Sequence, residues 1–382
     1  MKQSQTNLAP YGSWKSPINA KLLVSGAVSI SEVIPDGEAV WWAESRPEES
    51  GRVAIMRYES GSSVEVTPSN TNVRTLIHEY GGGSWWVQNN TLWFVDYADQ
   101  RLRQMNYAAG EDSGIKLLSA EPEFSKAQRF AEMRPTNDTH WVICICESHS
   151  KNQKEPENQI VAVATDGSFK QITLCEGADF YGSLCISPDG NSLAWIEWDH
   201  PNMPWDTTTL KTAVLQSNSS GIVLKDEITV AGGHEEAIVQ ASFSPDNKLH
   251  YLSDRNDTWQ LYMAGKDTAV HTVDGEIGYP PWVHGLSRYG FDEHGNVIAA
   301  HFKGGIDHLD KEPDGTSFSS VRTSGSKIAY ASASWQAETS VHYNGEVVRA
   351  SRKLGLSDDF FPAPEVLTYP TGKAGSGELA HA

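Results

Sequence analysis

One pattern constrains this chain more than any other: a strand, a tight polar turn and a second strand recur at a nearly fixed spacing. Two copies are plain. Residues 185–197 read CISPDGNSLAWIE, and residues 241–254 read ASFSPDNKLHYLSD. In each, proline presets φ at the second turn position, and Asp followed by Gly or Asn suits the rest of a tight turn. Weaker copies begin at Ile34 (IPDGEAVWWAE), Gln88 (QNNTLWFVD), Arg134 (RPTNDTHWVICICE), Phe291 (FDEHGNVIAAHF) and Arg322 (RTSGSKIAYAS). One apolar marker from each second strand gives Val40, Leu92, Trp141, Leu193, Leu249, Val297 and Ile328, spaced by 52, 49, 52, 56, 48 and 31 residues. The short last interval leaves two possibilities, a trimmed unit or a misplaced marker.

A second strand pair follows most markers, as in RVAIMRYESG from Arg52, QIVAVATDG from Gln159 and TSVHYNGE from Thr339. Each unit of about 50 residues therefore holds four strands. A series of such units predicts an all-β chain, a seven-bladed β-propeller of four-stranded antiparallel blades. Sandwich strands do not recur in fours at this period. The 13 Trp, 13 Tyr and 11 Phe fit wedge-shaped spaces between blades. The expected organisation is an N-terminal extension over 1–25, the propeller over 26–360, and a linker over 361–382. That last stretch starts strand-like at Glu365–Tyr369 and passes into Gly, Ala and Ser.

Thirty Lys and Arg stand against 49 Asp and Glu, a net charge of −19. Such a surface repels phosphate backbones, so nucleic acid is not an expected partner. It favours cationic groups such as a peptide's amino terminus, although solubility alone also accounts for it. No apolar run approaches the roughly 18 residues that span a bilayer, and MKQSQTNLAPYGSW lacks the apolar stretch of a signal peptide. Cys144 and Cys146 alternate within one strand and read as small buried residues; with Cys175 and Cys185 they make no zinc spacing. A cytoplasmic location is expected, with no membrane partner.

Two strings could carry chemistry. His78-Glu79-Tyr80-Gly81-Gly82-Gly83 lacks the second histidine of a zinc helix and runs into a strand, not a helix N-terminus. Its glycines suit tight backbone passage into a blade; its polar residues would otherwise line a functional loop. Asp199-His200-Pro201-Asn202-Met203-Pro204-Trp205-Asp206 interrupts a unit between strands, and its prolines stiffen it. It reads either as a contact loop or as one that only ties down its own blade. Asp254-Arg255 reads as a structural ion pair. No G-x-S-x-G elbow occurs, and no metal or cofactor ligand set is recognisable.

Taken together, APYGSWKSPI, NVRTLIHEYGGG, YADQRL, GADFYGSLCISPDGNSLAWIEWDHPNMPWD and YLSDRNDTWQLY resemble the N-terminal propeller of prolyl oligopeptidase (S9) serine peptidases. The likeness extends over essentially the whole chain and is nearest to the bacterial dipeptidyl-aminopeptidase and acylaminoacyl-peptidase-like branch. It implies a non-catalytic propeller that gates short peptides toward a C-terminal α/β-hydrolase domain carrying the Ser, Asp and His. The sequence stops at EVLTYPTGKAGSGELAHA, at the strand leading into that domain, so this chain is expected to be inactive alone. The resemblance singles out His78, Glu79, Tyr80, Asp199, His200, Asn202, Trp205 and Asp206 as contacts to peptide or hydrolase domain. A stand-alone scaffold for protein binding is the alternative; a propeller lactonase or glycosidase lacks its ligand set.

Overall fold

The structure, a computed structural model, describes residues 8–107, 114–310, 315–363, 365, 367–371 and 379–381. Seven antiparallel sheets follow one another along the chain, at residues 29–65, 85–117, 128–176, 180–232, 238–263, 289–309 and 317–349; we number them blades 1 to 7. Five hold four strands. Among the described residues blades 5 and 6 hold three, and in blade 5 a bridge from Leu261 to His271 begins a fourth. All seven markers lie in the second strand of their blades. The short last interval is a trimmed blade 6, whose strand Ile306–Leu309 is followed by Ser317–Ser324, the innermost strand of blade 7.

The extension contributes one short helix, Ala20–Val24, capped by the Asn19 side chain. At the other end Thr368–Pro370 pairs with Leu379–His381 in a separate hairpin. That places regular pairing three residues later than Glu365; residues 364, 366, 372–378 and 382 lie outside the described residues.

Alternation along each strand explains why the blades stack. Successive side chains point to opposite faces, and in a propeller both faces are covered. Trp41 of blade 1 packs against Trp85, Leu92 and Phe94 of blade 2, whereas Trp42 turns the other way, against Ala329, Ala331, Val341 and Tyr343 of blade 7. In blade 3, Cys144 and Cys146 face blade 2, and Ile143 and Ile145 face blade 4. Both thiols are free, fully buried and pushed up by burial, Cys146 to about 12. Apolar clusters of this kind fill all seven wedges.

A second system holds the innermost strands around the axis. Glu32, Glu132, Ser183, Gln240 and Ser320 each have positive φ, between 42° and 55°, and each sits at a β-bulge in the innermost strand of its blade. Gly83, just before the innermost strand of blade 2, also has positive φ, at 59°. The bulges turn a polar group toward the next blade. Gly83 N donates to Glu32 Oε1 (3.0 Å), Glu132 N to Gly83 O (2.8 Å) and Leu184 N to Glu132 Oε2 (2.7 Å). Ala241 N donates to Ser183 Oγ (2.7 Å), Arg288 N to Gln240 Oε1 (2.6 Å) and Val321 N to Ser287 O (3.1 Å). Arg322 Nη1 donates to Val33 O (3.0 Å) and returns the belt to blade 1.

Among the described residues blades 7 and 1 share no strand. Their seam rests on the Trp42 wedge, on Arg322, and on Tyr343 OH donating to Gly37 O at 2.5 Å. Trp42→Ala is expected to cost about 3–5 kcal/mol in equilibrium denaturation, whereas Trp335→Ala, at a half-exposed turn, stays within about 0.5 kcal/mol. Equal effects of the two would show that the seam does not depend on Trp42.

Candidate functional site

The two strings meet at one mouth of a cavity of about 970 Å³ that runs beside the ring axis. The innermost strands all start on this face. It therefore carries the segments before Trp85–Gln88 and Tyr289–Phe291 and the loop after Trp198.

The first string enters with His78, Glu79, Gly81, Gly82 and Gly83 all at positive φ. At Gly82 the reason is close approach. A Cβ there would run into the backbone of His284, 2.8 Å from its nitrogen. Gly82 and His284 form a parallel bridge, and His284 N donates to Gly81 O at 3.0 Å. Blades 2 and 6 are not neighbours, so this contact crosses the ring. The open space beneath it is lined by the innermost strands of blades 2 to 7.

The second string folds largely onto itself. Asp206 Oδ2 accepts from Met203 N (2.8 Å), and Asp199 O accepts from Asn202 N (3.0 Å) and Nδ2 (3.3 Å). Asp199 Oδ1 accepts from Asp179 N (2.7 Å), and the Asp179 carboxylate in turn takes the His200 backbone N–H and Nδ1, both at 2.9 Å. Those two contacts from His200 hold the Asp179 carboxyl below its ordinary range.

Aromatic rings join the strings. His78 stands edge-on to Phe180 (5.1 Å) and Trp198 (6.1 Å), and Phe180 also meets His200 (4.9 Å). Beside them Trp282 lies 4.4 Å from Trp205 and 6.1 Å from Tyr80. Tyr80 and Trp282 are 67% and 56% exposed, high for large rings held by neighbours. Thus His78, Tyr80, His200 and Trp205 come together at the mouth. Glu79 points away to Arg129 (3.2 Å), and Asp199, Asn202 and Asp206 hold their own loop.

Below the mouth lies a buried polar chain. Asn158 Nδ2 donates to Asp179 O (2.8 Å), which leaves Asn158 Oδ1 to accept from His78 Nε2 (3.2 Å). His78 Nδ1 then accepts from His284 Nε2 (3.1 Å), and His284 Nδ1 faces Glu132 Oε1 (3.1 Å). This polarity calls for a hydrogen on both His284 nitrogens, making an ion pair with Glu132. Burial and the neighbouring His284 drive His78 down to about 3, so its ring is neutral. Glu132 is held at about 2: burial opposes ionisation, but His284, Arg134 and Leu184 N together outweigh it. Glu32, mainly through burial, is pushed up to about 7.

Sequence reading missed Trp282, His284, Phe180, Glu132 and Glu32. The string GYPPWVHG at 278–285 was the available signal: paired prolines, an aromatic and a histidine between two strands. One expectation is corrected. Arg255 pairs with Glu236 (2.8 Å) rather than with Asp254, whose carboxylate accepts from Ala237 N because the strand end there needs a backbone acceptor. Among the described residues no cluster of three or more His, Cys, Asp or Glu is arranged to hold a metal ion, and no helix is long and apolar enough to cross a membrane.

Solved structures show the same ring. The chain superposes on a puromycin-hydrolysing peptidase from Mycobacterium tuberculosis with TM-score 0.86 and 26% identity, and on a puromycin hydrolase with 0.87 and 27%. In both, 98% of this chain covers 61% of the other. The architecture is that of an S9 peptidase propeller. Prolyl oligopeptidase B from Galerina marginata shares the S9 propeller fold at TM-score 0.61 and 10% identity, 95% of this chain covering 56% of that one. No family model and no curated protein matches the chain.

Two predictions test the interior of the S9-like ring. Glu32 ionises at about 7 when folded, against an ordinary 4.5. The stability it contributes is complete below about pH 4.5 and is lost as pH rises through 7. Relative to wild type, Glu32→Gln is expected to gain on the order of 3 kcal/mol between pH 4.5 and 8. A stability difference that stays constant across that range rejects this assignment. Gly82→Ala, which forces a methyl against His284 at positive φ, is expected to lower the thermal midpoint by more than Gly61→Ala, where φ is also positive but the space is open.

Proposed function

We propose that this chain is the non-catalytic gate of an S9-type serine peptidase of the dipeptidyl-aminopeptidase or acylaminoacyl-peptidase-like kind. It admits short peptides to a C-terminal α/β-hydrolase domain and holds their amino terminus at the cavity mouth. The observation that carries this reading is one of placement. The mouth formed by both strings lies on the face where the chain joins the ring at Ser29 and leaves it at Arg349. A domain continuing from either end is therefore delivered to the mouth, and the two puromycin-cleaving relatives are longer than this chain.

The chemistry of the mouth suits an ammonium group. The exposed faces of Tyr80 and Trp282, with Trp205 behind, offer cation–π contact. The net charge of −19 draws cations toward the surface. Four free cysteines suit a reducing compartment, and we place the protein in the cytoplasm.

The reading frame beyond Ala382 tests the proposal directly: G-x-S-x-G, then Asp and His, are expected within about 250 residues, and a natural stop codon sinks it. In the longer protein Tyr80→Ala and Trp282→Ala are expected to raise KM for peptides with a free amino terminus roughly fivefold or more. N-blocked peptides are expected to be unaffected. Equal effects on both substrates would remove the mouth from amino-terminus recognition.

A further inference from the structure

The other half of the cavity has a different chemistry. Arg134 follows the bulge at Glu132 toward the end of the innermost strand Gln128–Pro135, so it lies away from the aromatic mouth. Its guanidinium sits 4.0 Å from the centroid of the Trp86 ring, and Nη1 donates to the Met133 carbonyl at 2.8 Å. Arg322, from the innermost strand of blade 7, lines the same cavity and donates to two carbonyls, Val33 O at 3.0 Å and Gly285 O at 2.5 Å.

Neither arginine belongs to an ion pair of 4.0 Å or less among the described residues. Both are half-buried, and cations largely withdrawn from solvent ordinarily have a paired anion. Elsewhere this fold supplies one: buried Arg288 holds Asp307 through both terminal nitrogens, at 2.8 and 3.2 Å. The carboxylates nearest the two cavity arginines are already engaged. Glu132 accepts from His284 and from Leu184 N, and Glu32 Oε1 accepts from Gly83 N while burial pushes its carboxyl up to about 7. The guanidiniums also repel each other; desolvation first, and Arg134 in part, bring Arg322 down to about 10. An incoming anion would relieve both effects.

We propose that Arg134 and Arg322 form a carboxylate-binding site in the wall of the axial cavity. Each presents guanidinium N–H groups beyond those spent on carbonyls, in the fork that suits a carboxylate. The hydroxyls of Ser319 and Ser320 line the same wall. The ligand is the C-terminal carboxylate of a short peptide or a free small carboxylate, and a cavity of about 970 Å³ accommodates either. This site uses other residues than the proposed ammonium contacts and does not rest on the peptidase reading.

The test uses the 382-residue chain, with triglycine, triglycine amide and acetate as probes in titration calorimetry. Triglycine is expected to bind, its amide at least tenfold more weakly. Acetate that competes marks a site for any small carboxylate; acetate that does not marks one selective for the peptide terminus. Arg134→Gln is expected to lose at least tenfold in affinity with an unchanged thermal midpoint, since Arg134 makes one backbone hydrogen bond, and Arg134→Lys to recover part of the loss. If Arg134→Gln does not fold, wild-type protein decides: triglycine, and not its amide, should protect Arg134 from phenylglyoxal in peptide mapping. Equal binding of acid and amide, unaltered affinity in Arg134→Gln, absence of protection, or no binding at millimolar concentration overturns the proposal. None of these results bears on the reading frame beyond Ala382, so the two proposals fail separately.

Discussion

The belt of hydrogen bonds around the axis is the constraint on which the rest of the molecule depends. Seven twisted sheets can pack face to face through apolar wedges alone, but nothing in such packing fixes how far each sheet stands from the centre. The bulges do. A left-handed residue in the innermost strand shifts the ladder by one position and frees a polar group to reach the next blade. A non-glycine residue in that conformation costs on the order of 1–3 kcal/mol. At four of the five such residues, Glu32, Glu132, Ser183 and Gln240, the side chain accepts an N–H of another blade that would otherwise be orphaned at similar or greater cost. Strain and satisfaction are thus coupled around the ring.

The same device creates the chemistry inside. Bringing Glu32 and Glu132 to the axis obliges the fold to manage two buried carboxyls, and it does so in opposite ways. Glu132 is given His284 and stays ionised; Glu32 is left with a backbone N–H and a distant Arg322, and its carboxyl rises. The His78–His284 contact follows from the first choice. Because Asn158 is oriented by Asp179, hydrogen can run in only one direction along that chain. The cross-ring bridge at Gly82 then spans the ring above a cavity that carries aromatic rings at its mouth and guanidinium groups in its wall.

Much of the architecture was legible in the residues. Strand–turn–strand repeats specify local pairing, and a marker in every second strand identified all seven blades, including the trimmed one. The alternation of WVICICE correctly placed its thiols on one face. The site was legible only in parts. HEYGGG and DHPNMPWD stand out by local composition, yet their meeting through Phe180 depends on ring closure, which no local pattern encodes. His284 reaches Gly82 from about 200 residues away, and nothing in its immediate sequence marks that contact. The belt is a different case: Glu32, Gly83, Glu132 and Ser183 keep the same period as the markers, but acids, glycine and serine share no side-chain signature. What they share is a backbone conformation.

The seam between blades 7 and 1 has a consequence for mechanics. Among the described residues each blade is built from consecutive strands, so the ring closes through side chains and not through a strand contributed from the opposite terminus. Parting the seam would expose Trp42 and release Arg322 and Tyr343 from their carbonyls, yet it would leave every sheet ladder intact. The molecule is thus better compared to a clasped bracelet than to a welded hoop: its circumference can yield at one place while its links remain whole.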